Sequence, residues 1–301
     1  MIAEPESPKT VIHDRGYESY RGGRETSSRL PVVALATFRR ALAQIWVKIS
    51  LLLALFPPVV VGVMFYVQHA LVRQAPGALD ELAQATPAFY VLHLLVSWYG
   101  ALFAAFTIAL SAASPAIADD LQSGALPFYL TRPLSRSEYL GGKWIGAWAA
   151  TLLCTAGALL FSLFNLSLAG ASTGGHELVS AMLLIPRTIA LCLIQTGTLT
   201  TVAVALSAVT ARRSLAQAGL AALFFFPWLC GSIVAHFVHS FWPGLLSLPT
   251  LFESVGRSVL GLAVDDAPTA VPPWIAAPVL LAIVVGSGLL AVSRIGKVGR
   301  G

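Results

Sequence analysis

The residues whose types and spacing could support chemistry lie in one charged stretch, residues 116–144, between two long apolar segments. This stretch contains six charged side chains, although only 11% of the whole chain is charged. The six are an acidic pair followed by basic and acidic residues: Asp119, Asp120, Arg132, Arg136, Glu138 and Lys143. Charge of this density between apolar segments predicts a loop that lies outside the membrane.

Motifs for nucleotide, metal or nucleophilic chemistry are missing from the sequence. A P-loop needs G-x-x-x-x-G-K followed by Ser or Thr, but Gly142-Lys143 and Gly296-Lys297 are followed by Trp144 and Val298. His176-Glu177 opens like a zinc-protease motif, yet Ser180 stands where the second His is needed. The sequence therefore predicts a chain that is not an enzyme and binds no cofactor or metal.

The charged stretch has clear local signals for turns and helix starts. Asp119 and Asp120 precede Leu121 and predict a helix start, because carboxylates favour the first turn. Such exposed charges contribute about 0.3–1 kcal/mol each, so we expect insertion to survive their reversal. Gly124 predicts a turn, and Ser135-x-x-Glu138 is a capping box that predicts a helix from about Arg136. An ordinary solvated loop would also account for these features.

Taken together, the stretch resembles the first cytoplasmic loop of the membrane-spanning subunit of an ATP-binding-cassette (ABC) transporter of the type-2 exporter class. In that family an acidic segment leads to Gly-Thr-Leu, then to Thr-x-Pro-x-Ser-Arg, then to a Leu-Gly-Lys that opens the next span. The matching segments here are Asp119-Asp120, Gly124-Ala125-Leu126, residues 131–136 and residues 139–143. Asp replaces the family's usual Glu, and Ala125 replaces Thr.

The resemblance implies that this loop couples the chain to a separate ABC ATPase, which would bind ATP and Mg²⁺. The coupling residues it implies are Asp119, Asp120, Gly124, Leu126, Arg132, Pro133, Ser135, Arg136 and Glu138. It also implies a connecting helix near the ATPase, which we place at residues 31–48. One face of that helix is apolar, and the opposite face carries Thr37, Arg40, Gln44 and Lys48. We interpret it as an amphipathic helix at the membrane surface, with Arg39, Arg40, Gln44 and Lys48 facing the partner.

Composition supports a membrane protein, because 56% of the residues are hydrophobic and only 11% are charged, whereas soluble domains have about 25% charged residues. Residues 1–30 are polar and charged and predict a disordered cytoplasmic tail. Residues 31–301 are predicted to form one all-α permease domain. Its six predicted spans, each long enough to cross about 30 Å of hydrocarbon, are residues 49–68, 89–113, 144–168, 182–208, 215–237 and 274–292.

The distribution of Lys and Arg predicts the orientation. With the N-terminus in the cytoplasm, 16 of the 19 Lys and Arg residues lie on the inner side. The three others are Arg73, Arg187 and Arg257. This positive-inside bias predicts a multi-pass protein of the cell (inner) membrane with both termini cytoplasmic. Because the basic residues cluster by membrane side, the net charge of +5 predicts no nucleic-acid partner.

The connection between spans five and six contains a further apolar segment, residues 245–264. A seventh span here would bury Glu253 and Arg257, and an Arg at mid-membrane costs about 2.5–3.5 kcal/mol. It would also place the basic C-terminus outside. We therefore predict helices that lie in or dip into the outer leaflet, as the family resemblance also implies.

The predicted spans lack the carboxylates that mark ion-coupled transport. The one charged residue within the predicted spans is Arg187, just after Pro186. It is either an anion contact at the exit of a transport pathway or a residue whose side chain snorkels to the outer interface. The hypothesis is therefore the permease of an ATP-driven exporter, forming a homodimer among membrane lipids with two separate ATPases. The alternative is an ATP-independent carrier or a scaffold subunit of a membrane complex.

Overall fold

The computed structural model describes residues 28–74, 79–125, 134–171, 176–210, 212–262 and 269–297. These residues form helices and no strand. The helices are α1 (Leu30–Ala43), α2 (Ile45–Gln74), α3 (Leu79–Ile108), α4 (Pro115–Gln122), α5 (Arg136–Ala171), α6 (His176–Val209), α7 (Arg213–Val238), α8 (Leu248–Leu260) and α9 (Pro273–Lys297). A π-helix (Ala109–Ala113) joins α3 to α4, and a 3₁₀ helix (Trp242–Leu246) precedes α8.

Six helical segments of the described chain are long and apolar enough to cross a membrane, which confirms the predicted all-α, six-span fold. They run through α2, α3 with α4, α5, α6, α7 and α9. The α3–α4 span and α6 form the centre, with 83% and 67% of their most apolar stretch buried. The spans in α2, α7 and α9 are only 22%, 22% and 17% buried, so they form the periphery.

The connection between α7 and α9 contains helices but no further span among the described residues, as predicted. At 1.5 Å per residue, the 13 residues of α8 extend about 20 Å, which is short of the roughly 30 Å of hydrocarbon. Ser247 caps its start by accepting a hydrogen bond from the Thr250 N–H. Gly261, with φ of 71°, ends it in the left-handed conformation that glycine favours.

The predicted helix at residues 31–48 is in fact divided between two helices. Gln44 has extended backbone dihedrals and ends α1, so Lys48 lies in the first turns of the span α2. The polar face was also assigned wrongly in part, because Thr37 is buried together with Ala34 and Ala41. These small residues pack α1 against α5.

The crossing of α1 and α5 is close because α5 presents two glycines there. A Cβ atom added at Gly146 would lie 2.7 Å from the Cβ of Thr37 and also against the α1 backbone. One added at Gly142 would lie 2.6 Å from the Cβ of Val33. Glycines four residues apart on a helix let two backbones approach closely, which is how membrane helices gain packing contact. This crossing fixes α1 beside the first turns of α5.

Candidate functional site

The acidic pair was predicted to begin a helix. It lies instead in the second half of α4, which starts at Pro115. The second span continues through the π-helix directly into α4, and Pro115 occupies its first turn. Proline is favoured there because its missing N–H is not needed. The prediction was wrong because carboxylates before an apolar residue also occur within short helices, and nothing in the local pattern shows where the preceding span ends.

Asp120 faces the protein interior and forms a buried ion pair. Its Oδ2 lies 2.8 Å from Nζ of Lys143 on α5, and the two side chains are only 8% and 11% exposed. The buried Tyr139 hydroxyl donates a hydrogen bond to the same oxygen at 2.6 Å. The Lys143 ammonium also lies 5.6 Å from the centre of the Tyr139 ring. This pair joins α4 to α5 in a setting that excludes most water.

Asp119 faces outward and links α4 to α1. Its Oδ2 accepts a hydrogen bond from Arg40 Nη2 at 2.8 Å. The Arg40 side chain is 57% exposed and that of Asp119 is 19% exposed. Because successive residues of a helix point about 100° apart, the two neighbouring carboxylates contact different helices. We call Arg40, Asp119, Asp120, Tyr139 and Lys143 the charged junction.

The capping box at the start of α5 is confirmed. Ser135 Oγ accepts from the Glu138 N–H at 3.2 Å, and Glu138 Oε2 accepts from the Ser135 N–H at 3.0 Å. The other oxygen of Glu138 accepts from the Arg29 N–H and the Ser28 hydroxyl, each at 3.2 Å. Glu138 therefore ties the two residues just before α1 to the first turn of α5, in addition to capping its own helix.

A serine of the central span holds the N-terminal end of α4, and sequence reasoning missed it. Ser207 Oγ, on α6, accepts hydrogen bonds from the Ile117 and Ala118 N–H groups at 2.9 and 2.8 Å. These are donors that the first turn of a helix leaves without a partner. Ser207 is fully buried. A buried serine late in an apolar span gives no signal in sequence of the distant helix that it caps.

The π-helix before α4 is also held from a neighbouring span. Its wider turn pairs the Ser114 N–H with the Ala109 carbonyl at 2.9 Å. The Leu110 carbonyl accepts from the Ser114 hydroxyl at 2.7 Å and from Gln217 Nε2 on α7 at 3.1 Å. Single π turns inside helices are common at functional sites. Here the turn sits between the membrane core and the acidic pair.

The remaining residues of the predicted coupling loop are spread more widely. Gly124 has φ of 65° and forms the predicted turn after α4. Arg136 donates from Nη1 to the Gly296 carbonyl at 2.6 Å, near the end of α9. Arg39 is exposed on α1, and a side-chain oxygen of Gln44 is buried without a hydrogen-bond partner. Predicted residues outside the described part of the chain are Leu126, Arg132 and Pro133.

Arg187 lies apart from the charged junction, near the end of α8. A Cβ atom added at Gly261 would lie 2.9 Å from its Nη1. A guanidinium beside the C-terminal end of a helix interacts favourably with the carbonyl dipoles there. Its predicted role in a transport pathway stays a prediction.

The charged junction serves to join helices. Among the described residues, no group of three or more His, Cys, Asp or Glu side chains could hold a metal ion. The charged junction instead connects three helices through one exposed and one buried ion pair, and Ser207 connects it to the central span.

Comparison with known proteins agrees with this layout. A family model described as ABC-2 family transporter protein matches residues 33–244, more than two thirds of the chain. The match begins within α1 and extends through the charged junction and the first five spans. A search of curated proteins gives no significant match. The chain therefore belongs to the ABC-2 transporter family and is a membrane-spanning permease of the ABC type.

Proposed function

We propose that this permease works in an ATP-driven exporter of the inner membrane, as a homodimer on two copies of a separate ATPase. ATP and Mg²⁺ would bind to the ATPase. The observation that supports coupling is the charged junction, in which α1, α4 and the start of α5 are joined by ion pairs. Its outer side offers the exposed side chains of Arg39 and Arg40 to a partner. Export is the direction that the family resemblance implies.

The junction offers a route for force into the membrane. Movement of an ATPase against α1 and α4 would pass to α5 through the Asp120–Lys143 pair. It would pass to α6 through the two hydrogen bonds that Ser207 accepts from α4. Since α6 is among the most buried spans, its displacement would change the packing of its neighbours. Such a displacement would favour one of two pre-existing conformations, which is how binding energy shifts a transport cycle.

The orientation can be tested with reporter fusions. The 16-to-3 distribution of Lys and Arg supports a cytoplasmic charged junction and cytoplasmic termini. Fusions after Ser135 and after Arg213 should report the cytoplasm, and fusions after Gly77, Thr173 and Val264 should report the outside. A cytoplasmic signal after Val264 would show a seventh crossing and would reverse the assignment of α9.

ATPase coupling can be tested by charge reversal at Asp119. Because its partner Arg40 is largely exposed, the pair contributes no more than about 1 kcal/mol to stability. Reversing a charge at a protein interface, however, can place like charges together and add repulsion of several kcal/mol. We expect Asp119→Lys to leave the amount of permease in the membrane near normal and to reduce strongly the ATPase recovered with it by affinity purification.

The matched control is Asp265→Lys, in the connection between α8 and α9. It should leave ATPase recovery unchanged, because the proposed orientation puts it on the opposite side of the membrane. If the same amount of ATPase were recovered with Asp119→Lys as with Asp265→Lys, the support for coupling at the junction would be removed. That result would favour a carrier or scaffold role. Asp120 is unsuitable for this test, contrary to the expectation that reversing the acidic pair leaves insertion unaffected, because it is buried against Lys143.

A further inference from the structure

A second polar region lies where α3, α6 and α8 meet, away from the charged junction. Four buried side chains there have polar atoms without a hydrogen-bond partner. They are Trp98 on α3, Thr188 and Gln195 on α6, and Ser254 on α8, and they are 0%, 2%, 0% and 6% exposed. Buried polar groups without partners are rare in folded proteins. We call these four residues the unpaired cluster.

Packing brings three members of the unpaired cluster, Trp98, Thr188 and Gln195, to one region. Thr188 and Gln195 are seven residues apart on α6, so they lie on one face, two turns from each other. Between them, Leu191 and Cys192 pack in one apolar group with Trp98 and with Leu260 of α8. The indole ring of Trp98 rests against Gly256, where an added Cβ would lie 2.7 Å from Cζ2. Ser254 is on the same helix two residues before Gly256, so it points about 160° away from the contact with Trp98.

Thr188 and Gln195 differ from most polar residues of α6; among the described residues of this helix, the Thr200 hydroxyl, on another face, is also buried without a partner. The hydroxyls of Thr196, Thr198 and Thr201 each donate to a carbonyl four residues earlier on the same helix, at 2.6–2.8 Å. Thr188 makes no such bond, although its helix offers the same kind of acceptor. Gln195 leaves both its amide nitrogen and its amide oxygen unpaired. Unpaired buried polar groups lower the stability of the present conformation, and a polar ligand bound among them would supply the missing hydrogen-bond partners.

The donors of the cluster favour a ligand that carries hydrogen-bond acceptors, and the unpaired Gln195 amide oxygen can accept from a hydroxyl of the same ligand. The indole N–H of Trp98 can only donate, and the hydroxyls and the amide add further O–H and N–H donors. Two guanidinium groups flank the cluster, Arg187 beside Gly261 and Arg257 paired with Glu253 at 2.9 Å. Donors from α3 and α6, with guanidinium groups on α6 and α8 nearby, suit a tetrahedral phosphate, which accepts in several directions, better than a planar carboxylate.

We propose that the junction of α3, α6 and α8, once it opens, binds a phosphate-bearing group of the transported molecule, with the N–H and O–H groups of the unpaired cluster as donors. This proposal rests on the transport function proposed above. In the present structure the contact between Trp98 and Gly256 closes the site, so the ligand enters when α8 moves away from α3. The site therefore belongs to a different conformation of the transport cycle.

The test uses the full-length permease with its ATPase in phosphatidylcholine vesicles and measures the unfolding midpoint and ATPase activity. One probe is inorganic phosphate in the buffer, and the other is phosphatidylglycerol mixed into the vesicles. We expect one of them to raise the midpoint and to increase ATPase activity several-fold. A response to phosphatidylglycerol alone identifies a lipid head group, and a response to phosphate identifies a soluble phosphate compound.

The decisive variant combines Thr188→Val with Gln195→Leu. Because it removes unpaired polar groups, it should raise the midpoint without a probe by several °C, at about 2–4 °C for each kcal/mol gained. It should also abolish the response to the probe. The matched control is Thr198→Val, on the same helix and equally buried, whose hydroxyl is already bonded to the Ile194 carbonyl. The control should keep the full response.

Three outcomes would overturn the proposal: a double variant that is less stable than the wild type, a double variant that responds as the wild type does, or a wild type that responds to neither probe. Failure of the transport function would look different, because the ATPase would then not assemble with the permease. The unfolding midpoint of the permease alone would still report whether the cluster binds phosphate.

Discussion

Lys143→Met should unfold the permease at a midpoint about 10 °C lower than the wild type, which corresponds to a loss of about 3–5 kcal/mol. The substitution leaves the Asp120 carboxylate buried, with the Tyr139 hydroxyl as its remaining close partner. A charge that is only 8% exposed cannot recover its lost partner from water. Thermal unfolding of the detergent-purified protein, followed by the fraction that stays monodisperse, measures the effect.

A double variant separates the charge from the packing. Asp120→Asn combined with Lys143→Met removes both charges, keeps an oxygen for the Tyr139 hydroxyl and preserves most of the volume. Neutralising both members of a buried pair is often nearly neutral for stability, so the double variant should regain most of the loss. Asp119→Asn, at the exposed pair, should change the stability by no more than about 1 kcal/mol. If Lys143→Met were as stable as Asp119→Asn, the buried pair would not hold α4 to α5.

The spans could be predicted from sequence because hydropathy over about 20 residues is a strong signal. The capping box at Ser135 and Glu138 could be predicted because Ser-x-x-Glu before an apolar run is a typical helix start. The directions in which the Asp119 and Asp120 side chains point could not be predicted. They are neighbours in sequence, and only the packed positions of α1 and α5 show that one carboxylate faces Arg40 and the other Lys143.

The packing of α1 shows a second limit of the sequence. Its large apolar residues were predicted to face the membrane, and nothing in the sequence indicated that Ala34 and Ala41 are the residues buried against the protein, while Leu35 is 48% exposed. In a membrane, lipid is as apolar as leucine, so burial follows small size and close approach more than hydrophobicity. The glycines that permit the approach lie on α5, more than 100 residues away, and an amphipathic pattern within α1 carries no information about them. Likewise, the sequence of α4 carries no information about Ser207, the residue of α6 that caps it.

Replacing Gly146 should detach α1 from the membrane domain. In Gly146→Leu the new side chain would begin 2.7 Å from the Thr37 Cβ and press on the backbone of α1. Backbone cannot yield as a flexible side chain can, so we expect α1 to lift off α5, at a cost of about 1–3 kcal/mol or more. Trypsin would then cleave rapidly after Arg39 or Arg40, which the packed helix protects, and ATPase recovery should fall because the charged junction loses Arg40.

The control for this variant lies on the same helix. Gly157→Leu makes the same change of residue at an exposed position with nothing within 4 Å of an added Cβ. It should leave the trypsin pattern, the unfolding midpoint and ATPase recovery unchanged, since lipid accommodates a leucine there. Gly142→Ala should fall between the two, because it adds a single methyl group, which would lie 2.6 Å from the Val33 Cβ, an atom that moves only with the α1 backbone. Equal cleavage rates for the Gly146 and Gly157 variants would show that α1 does not pack on α5, and the route for force through α1 would be lost with it.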